Sequence, residues 1–156
     1  MVVKAICKVT GTDITGLIHF EQASESAPTK VTYEINGLAP GLHGFHVHEF
    51  GNLSDGCATA GPHYNPLNKD HGDRVDDENK RHHGDFGNIL ADSNRKCIGS
   101  FEDKVVKLIG QYSIIGRSIV IHEKEDDLGK GGDQESLKTG NSGSRVACGI
   151  IGIDKV

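Results

Sequence analysis

The chain has no tryptophan, four prolines and four cysteines among 156 residues. With glycine at 21 positions, its composition is turn-rich yet unlike a disordered linker or collagen. Cys7, Cys57, Cys97 and Cys148 form no CxC or CxxC pair and are too sparse for a disulfide scaffold, which removes zinc-finger and thioredoxin readings. No apolar run approaches the roughly 18 residues of a membrane-spanning helix. Positive charge is also in deficit: 17 Lys and Arg against 22 Asp and Glu give a formal net charge of −5, which argues against a general nucleic-acid binder. The opening residues MVVKAICKVTG reach a glycine before completing an apolar signal region, so a cytoplasmic protein is expected. No repeat or second domain is evident, and residues 1–156 read as one domain whose folded surface should be roughly 7,600 Å².

What is present is period two. Val3, Ala5, Cys7 and Val9 alternate with Lys4, Ile6 and Lys8, and Ile14, Gly16, Ile18 and Phe20 share one face of a second run. Val31, Tyr33 and Ile35 mark a third run, ended at Asn36-Gly37, and residues 42–48 a fourth. Further strands are expected near 85–91, 97–103, 117–121 and 145–151. Without any long helical stripe, these predict an all-β, closed or sandwiched antiparallel fold. Two gaps, 49–84 and 122–143, are too long for idle connections. Both are polar and glycine-rich, so their folding requires internal bonds, a ligand or a covalent tie.

The histidines give those gaps a purpose. His46 and His48 lie two apart, so a strand points both imidazoles to one face. His63, His71 and His82 follow through the first gap, then Asp85, and His122 opens the second. Zinc takes imidazole and carboxylate ligands in a tetrahedral set, and copper suits imidazole. Seven candidate side chains suffice for two four-ligand sites only if one is shared.

The segments GFHVHEFG (44–51), GPHYNP (61–66), HGD (71–73), HGDFGN (83–88), HEKEDDLGKGG (122–132) and GNSGSRVACGIIGI (140–153) span nearly the whole chain in order. In them the sequence resembles the copper/zinc superoxide dismutase family. The resemblance implies an eight-stranded antiparallel Greek-key β-barrel, an immunoglobulin-like sandwich, with two long functional loops. It implies an antioxidant enzyme that disproportionates superoxide to dioxygen and hydrogen peroxide, with one copper and one zinc cation per subunit. Copper would be held by His46, His48, His63 and His122, and zinc by His63, His71, His82 and Asp85, with His63 as the bridge. His82, three residues before Asp85, is preferred over His83, which is expected on the loop surface. His19, opposite the apolar face of its strand, is expected to be exposed and His43 packed and hydrogen-bonded.

Other roles follow from the same resemblance. Asp126 would link the free ring nitrogens of His46 and His71. His63 and Arg145 would be the catalytic pair, with Arg145 attracting and orienting the anion. Glu135, Lys138 and Thr139 would steer substrate along a narrow approach that includes Gly143, although Gln134 stands where relatives often carry another acid. Cys57 and Cys148 would form a disulfide, leaving Cys7 and Cys97 as buried thiols. Ile150, Ile151, Gly152 and Ile153, with Gly51 and Ile115, resemble a homodimer surface, and a copper chaperone is the expected partner during maturation. Two departures stand out. The segment GDRVDDENKR between His71 and His82 is long and acidic, which makes order in the zinc loop the less secure expectation. SNRK at 93–96 replaces a glycine-rich turn, with Asn94 as the candidate for a left-handed residue.

Overall fold

Alternating burial builds this molecule: Ala5, Cys7 and Val9 point inward from the first strand while Lys8 and Thr10 face water, and Ile18 and Phe20 repeat the pattern in the second. The computed structural model describes residues 1–156. Its strands are β1 (Val3–Gly11), β2 (Ile14–Gln22), β3 (Thr29–Asn36), β4 (Gly41–His48), β5 (Ser54–Cys57), β6 (Asp85–Ala91), β7 (Lys96–Asp103), β8 (Ser118–His122) and β9 (Arg145–Asp154). One four-residue helix, α1 (Ser136–Thr139), lies in the second gap.

Eight strands form a single antiparallel sheet in the order β6-β4-β8-β9-β1-β2-β3-β7. Its two end strands, β6 and β7, are consecutive in sequence and joined by a short turn, so the sheet curls until its ends approach and it nearly closes into a barrel. The β3-to-β4 and β7-to-β8 connections each skip over two strands, which is the Greek-key signature. The accessible surface, 7824 Å², agrees with the expectation from chain size. Phe20, Val31, Ile35, Phe45, Phe86 and Ile121 are among the fully enclosed core side chains. Phe45 packs its ring 5.5 Å from Phe86 and 5.8 Å from Tyr33 beneath the loop-covered end.

The eight strands lie where the sequence alternation puts them. β5, the following 3₁₀ turn at Ala58–Ala60 and α1 carry no such periodicity and were not expected. In the β6–β7 turn the left-handed residue is Arg95 (φ 65), not Asn94. The reason is Asp92, whose carboxylate accepts the backbone N–H groups of Asn94 and Lys96 at 2.8 and 3.0 Å, so the reversal falls on the residue between them. Of the C-terminal isoleucines, Ile150 and Ile153 are exposed but Ile151 is wholly in the core, where it pairs with Cys7 across the ladder.

The long acidic segment is also well tied. Arg81 is completely buried and spends its guanidinium on five acceptors: both oxygens of Asp103 at 3.1 and 2.8 Å, and the carbonyls of Arg74, His82 and His83 at 2.8, 3.0 and 2.9 Å. Arg74 lies 4.0 Å above the Phe101 ring and donates to the Phe86 carbonyl at 3.0 Å. Cys57 and Cys148 form a disulfide with a Cα–Cα distance of 5.8 Å, fastening the first long loop to β9. Cys7 and Cys97 are buried thiols, with burial pushing their pKa values up to about 12 and about 11.

Arg81→Ala strands the Asp103 carboxylate in the interior. It should lower the unfolding free energy of the metal-free, disulfide-intact protein by about 3–5 kcal/mol, whereas Arg74→Ala should cost about 1 kcal/mol. Urea titrations of both variants beside the parent check this, and equal midpoints for the two variants would contradict the role given to Arg81.

Candidate metal centre

In β4 the period of two sends Phe45 and Val47 into the barrel and His46 and His48 to the opposite face, where the long loops bury them. His122 ends the neighbouring β8, at a register shift, and His63 pairs with His48 through an isolated bridge. His46, His48, His63 and His122 each offer one ring nitrogen, all within 4.8 Å of one another. His48 and His122 bring their Nε2 atoms to 3.4 Å, and the His46 and His63 rings stack at 4.0 Å.

A second group lies on the other side of His63. His46, His63, His71 and Asp85 meet the same 4.8 Å limit; His82 is not of that set but approaches Asp85 and His63 from the loop. Asp85 Oδ1 is 3.1 Å from His63 Nδ1, 2.9 Å from His71 Nδ1 and 3.2 Å from His82 Nδ1, and the last is 3.2 Å from His63 Nδ1. These spacings are close to the edge of about 3.3 Å in a tetrahedron of zinc ligands. The other Asp85 oxygen accepts from Gly72 N at 3.0 Å and His82 N at 2.8 Å. Both ends of the intervening segment therefore converge on one carboxylate.

Both groups contain unpartnered atoms suited to a metal. His46 Nδ1, His63 Nε2 and His71 Nδ1 are buried without a hydrogen-bond partner. The 2.9 Å approach of His71 Nδ1 to Asp85 is thus a close contact lacking hydrogen-bond geometry. The opposite ring nitrogens are engaged: His46 Nε2 donates to Asp126 Oδ2 at 2.6 Å, His71 Nε2 to Asp126 Oδ1 at 2.7 Å, His48 Nδ1 to the Gly61 carbonyl at 2.8 Å and His122 Nδ1 to that of Gly143 at 3.1 Å. These bonds fix ring orientation and leave a ligand nitrogen aimed inward.

Burial, reinforced by neighbouring imidazoles, holds the pKa values of His46, His48 and His63 well below the ordinary histidine range, and burial lowers that of His122 as well. They are neutral and ready to ligate. His71 differs, because although burial disfavours its charge, the hydrogen bond to Asp126 and the closely approaching Asp85 carboxylate prevail and raise it to about 10. Burial pushes Asp85 upward, but its three histidine neighbours hold it well below the usual carboxylate range.

A cavity of about 1120 Å³ opens onto the first group and is bordered by Arg145, Thr139 and Gly143. The half-buried Arg145 donates from Nη1 to the Cys57 carbonyl at 2.9 Å and from Nη2 to the Gly61 carbonyl at 2.8 Å. On the rim, Thr139 Oγ1 donates to Glu135 Oε1 at 3.0 Å, while Lys138 is exposed.

A model of the family described as copper/zinc superoxide dismutase matches residues 14–151. The chain belongs to the copper/zinc superoxide dismutase family. It is 53% identical over 153 residues to superoxide dismutase [Cu-Zn] of Saccharomyces cerevisiae, covering 97% of this chain and 98% of that protein. The Onchocerca volvulus protein of the same name is 53% identical over 156 residues, 98% of each chain. Superoxide dismutase [Cu-Zn] 5 of Dictyostelium discoideum is 51% identical over 152 residues, 97% of this chain and 99% of its own.

Within this dismutase chain, His82 faces the second group and His83 does not, but His83 is buried, not on the loop surface. Its ring lies 6.1 Å from that of Tyr64 and 5.3 Å from that of Tyr112, and Arg81 binds its carbonyl. His19 is exposed, and the ring nitrogens of His43 lie 2.7 Å from the carbonyls of His122 and Ala39. Sequence reasoning missed Asn88, which exchanges two hydrogen bonds with the Asp126 backbone at 2.9 and 2.7 Å. It also gave no role to Asp127, which accepts from Ser136, Asn141 and Gly129 and so orders the α1 loop. The DLG run at 127–129 was the available signal for that Asx-type turn. At Gly140 (φ 74) any Cβ would fall 2.0 Å from Asp126 Oδ1, so only glycine fits beside that carboxylate.

Because His71 is raised from 6.5 to about 10, its contribution to metal-free stability is complete below about pH 6.5 and is lost as pH rises through about 10. A zinc ion bound at His71 Nδ1 would have to displace that proton. Uptake of zinc by the metal-free protein at pH 8 should release about one proton, and Asp126→Asn should reduce the release. Calorimetry in buffers of different ionisation enthalpy measures it; zero release by the parent would refute a charged His71.

Proposed function

We propose that this enzyme, a copper/zinc superoxide dismutase, holds copper through His46, His48, His63 and His122 and zinc through His63, His71, His82 and Asp85. The observation that carries the reading is His63, whose Nδ1 lies among the zinc-side atoms while its buried Nε2 is unpartnered on the side of His46, His48 and His122. Copper, alternating between its two oxidation states, supplies the electron chemistry by which one superoxide becomes dioxygen and a second, with two protons, becomes hydrogen peroxide.

The chain's own groups capture, align and protonate. Arg145 sets a planar cation beside the cavity floor, held by two carbonyls so that it meets the anion in one orientation. Burial lowers its pKa, but a guanidinium remains charged at neutral pH. His63 is placed to carry a proton on Nε2 and pass it towards substrate. Asp126 keeps His46 and His71 from turning. Glu135, Lys138 and Thr139 shape the entrance field, with Gln134 leaving it less acidic.

We further read the enzyme as a homodimer. Phe50, Ile150 and Ile153 are exposed, and near Ile150 the half-buried Gly51 lies so close to the chain that a Cβ would fall 2.0 Å from the Gly116 carbonyl. A copper chaperone during maturation suits a site roofed by a loop that a disulfide must fasten. No helix is long and apolar enough to cross a membrane, and a cytoplasmic setting suits a chain that keeps Cys7 and Cys97 as thiols.

Arg145→Ala should retain both metals and slow superoxide consumption about ten-fold, with weaker salt dependence than the parent; Arg145→Lys should recover much of the attraction and less of the alignment. Pulse radiolysis on metal-assayed samples compares them, and identical rates and salt slopes in all three proteins would sink the assignment. Separately, Ile150→Asp should shift the sedimentation profile from dimer to monomer, and an unchanged profile would move the interface elsewhere.

A further inference from the structure

The chain carries a formal charge of −5, yet its substrate is an anion. The cavity wall resolves the conflict locally. Lys69, Arg117, Lys138 and Arg145 line it against three carboxylates, Glu49, Asp70 and Glu135, leaving one positive charge in excess with histidines neutral. Two of these cations are committed to the wall itself. Arg117 stacks 3.9 Å over the Tyr64 ring and donates to the Glu49 carbonyl at 2.8 Å, and Arg145 is held on two carbonyls. Lysine–carboxylate pairs occur only at Lys4–Glu21 and Lys130–Asp73, so neither Lys69 nor Lys138 is neutralised by contact.

Lys69 is also held in place. Its N–H donates to Asn65 Oδ1 and its carbonyl accepts from Asn65 Nδ2, both at 2.9 Å, locking the turn around the left-handed Asn68 (φ 54). Two residues on, His71 N donates to the Leu137 carbonyl at 2.8 Å, joining this wall to α1 beside Lys138. The two lysines therefore flank one backbone bond, one from each long loop.

We propose that Lys69 is a guiding cation for the substrate anion, acting from the zinc-loop wall beside Lys138 and Arg145. The proposal rests on the dismutase reading above. Lys69 makes no contact with a ligand side chain, so its action is through the field: it adds one positive charge to a low-dielectric concavity, where field lines are focused along the approach. Removing it reduces the local excess to zero.

The test uses the fully metallated protein and its Lys69→Gln, Lys69→Glu and Lys69→Arg variants, with copper and zinc assayed in each. Superoxide decay is followed by pulse radiolysis from about 10 to about 300 mM ionic strength, and azide affinity is read from the visible spectrum at the two extremes. At low salt, Lys69→Gln should be about two-fold slower and Lys69→Glu about four-fold slower, with azide bound more weakly by similar factors. Lys69→Arg should match the parent, and all four proteins should converge at high salt. An active parent with Gln and Glu variants of the same rate and salt slope overturns the role of Lys69 alone. So does a Gln variant that is slow at every ionic strength, since that marks a structural defect. A fully loaded parent that does not consume superoxide overturns the dismutase reading, and this proposal with it.

Discussion

The carboxylate of Asp126 gives one oxygen to His46 and the other to His71, and the rest of the centre is arranged around that division. His46 stands on a central strand, whereas His71 belongs to a loop with no strand partner. The carboxylate transfers the rigidity of the first to the second. It can do so because Asn88 on β6 clamps its backbone and Gly140 leaves space beside its side chain. Charge-assisted bonds of this kind contribute about 1.5–3 kcal/mol each, enough to order a loop that has little apolar surface to bury.

The same economy applies to the segment between His71 and His82. It has an acidic, hydrophilic sequence, and its own turns at Asp73–Asp76 and Asp77–Lys80 bury no apolar surface that would fix it to the barrel. Two arginines do: Arg81 by filling every donor position in the interior, Arg74 by lying flat on Phe101. Order here comes from a buried ion pair whose desolvation cost is met by five well-formed hydrogen bonds. The histidine centre, in contrast, buries unpartnered nitrogens at His46, His63 and His71, and burial keeps the first two neutral. Leaving those nitrogens without a partner costs stability that a bound metal would restore, so metal binding and folding stability are thermodynamically linked.

This contrast explains what could be read in advance. The eight sheet strands were legible because alternation is a local signal that the pleat converts directly into burial. His46 and His48 were legible for the same reason, and the motif resemblance supplied the distant ligands and the disulfide pairing that spacing alone leaves open. β5 and α1 were invisible, because local turn bonds and the disulfide hold the first, Asp127 and His71 hold the second, and no apolar period marks either. The burial of His83 depends on Tyr64, Tyr112 and Arg81, and the left-handed Arg95 depends on Asp92 accepting two backbone N–H groups. Neither arrangement has a signature at the residue concerned.

The Gly61 carbonyl accepts from both His48 and Arg145. An imidazole of the four-histidine group and the guanidinium proposed to receive the anion are therefore hung from one oxygen atom. Residues 57–61 thus anchor both groups from one side, with a second Arg145 nitrogen on the Cys57 carbonyl and the disulfide tying Cys57 itself to β9. The ring's tautomer and the cation's orientation share a single point of attachment, so displacing that one carbonyl loosens both at once.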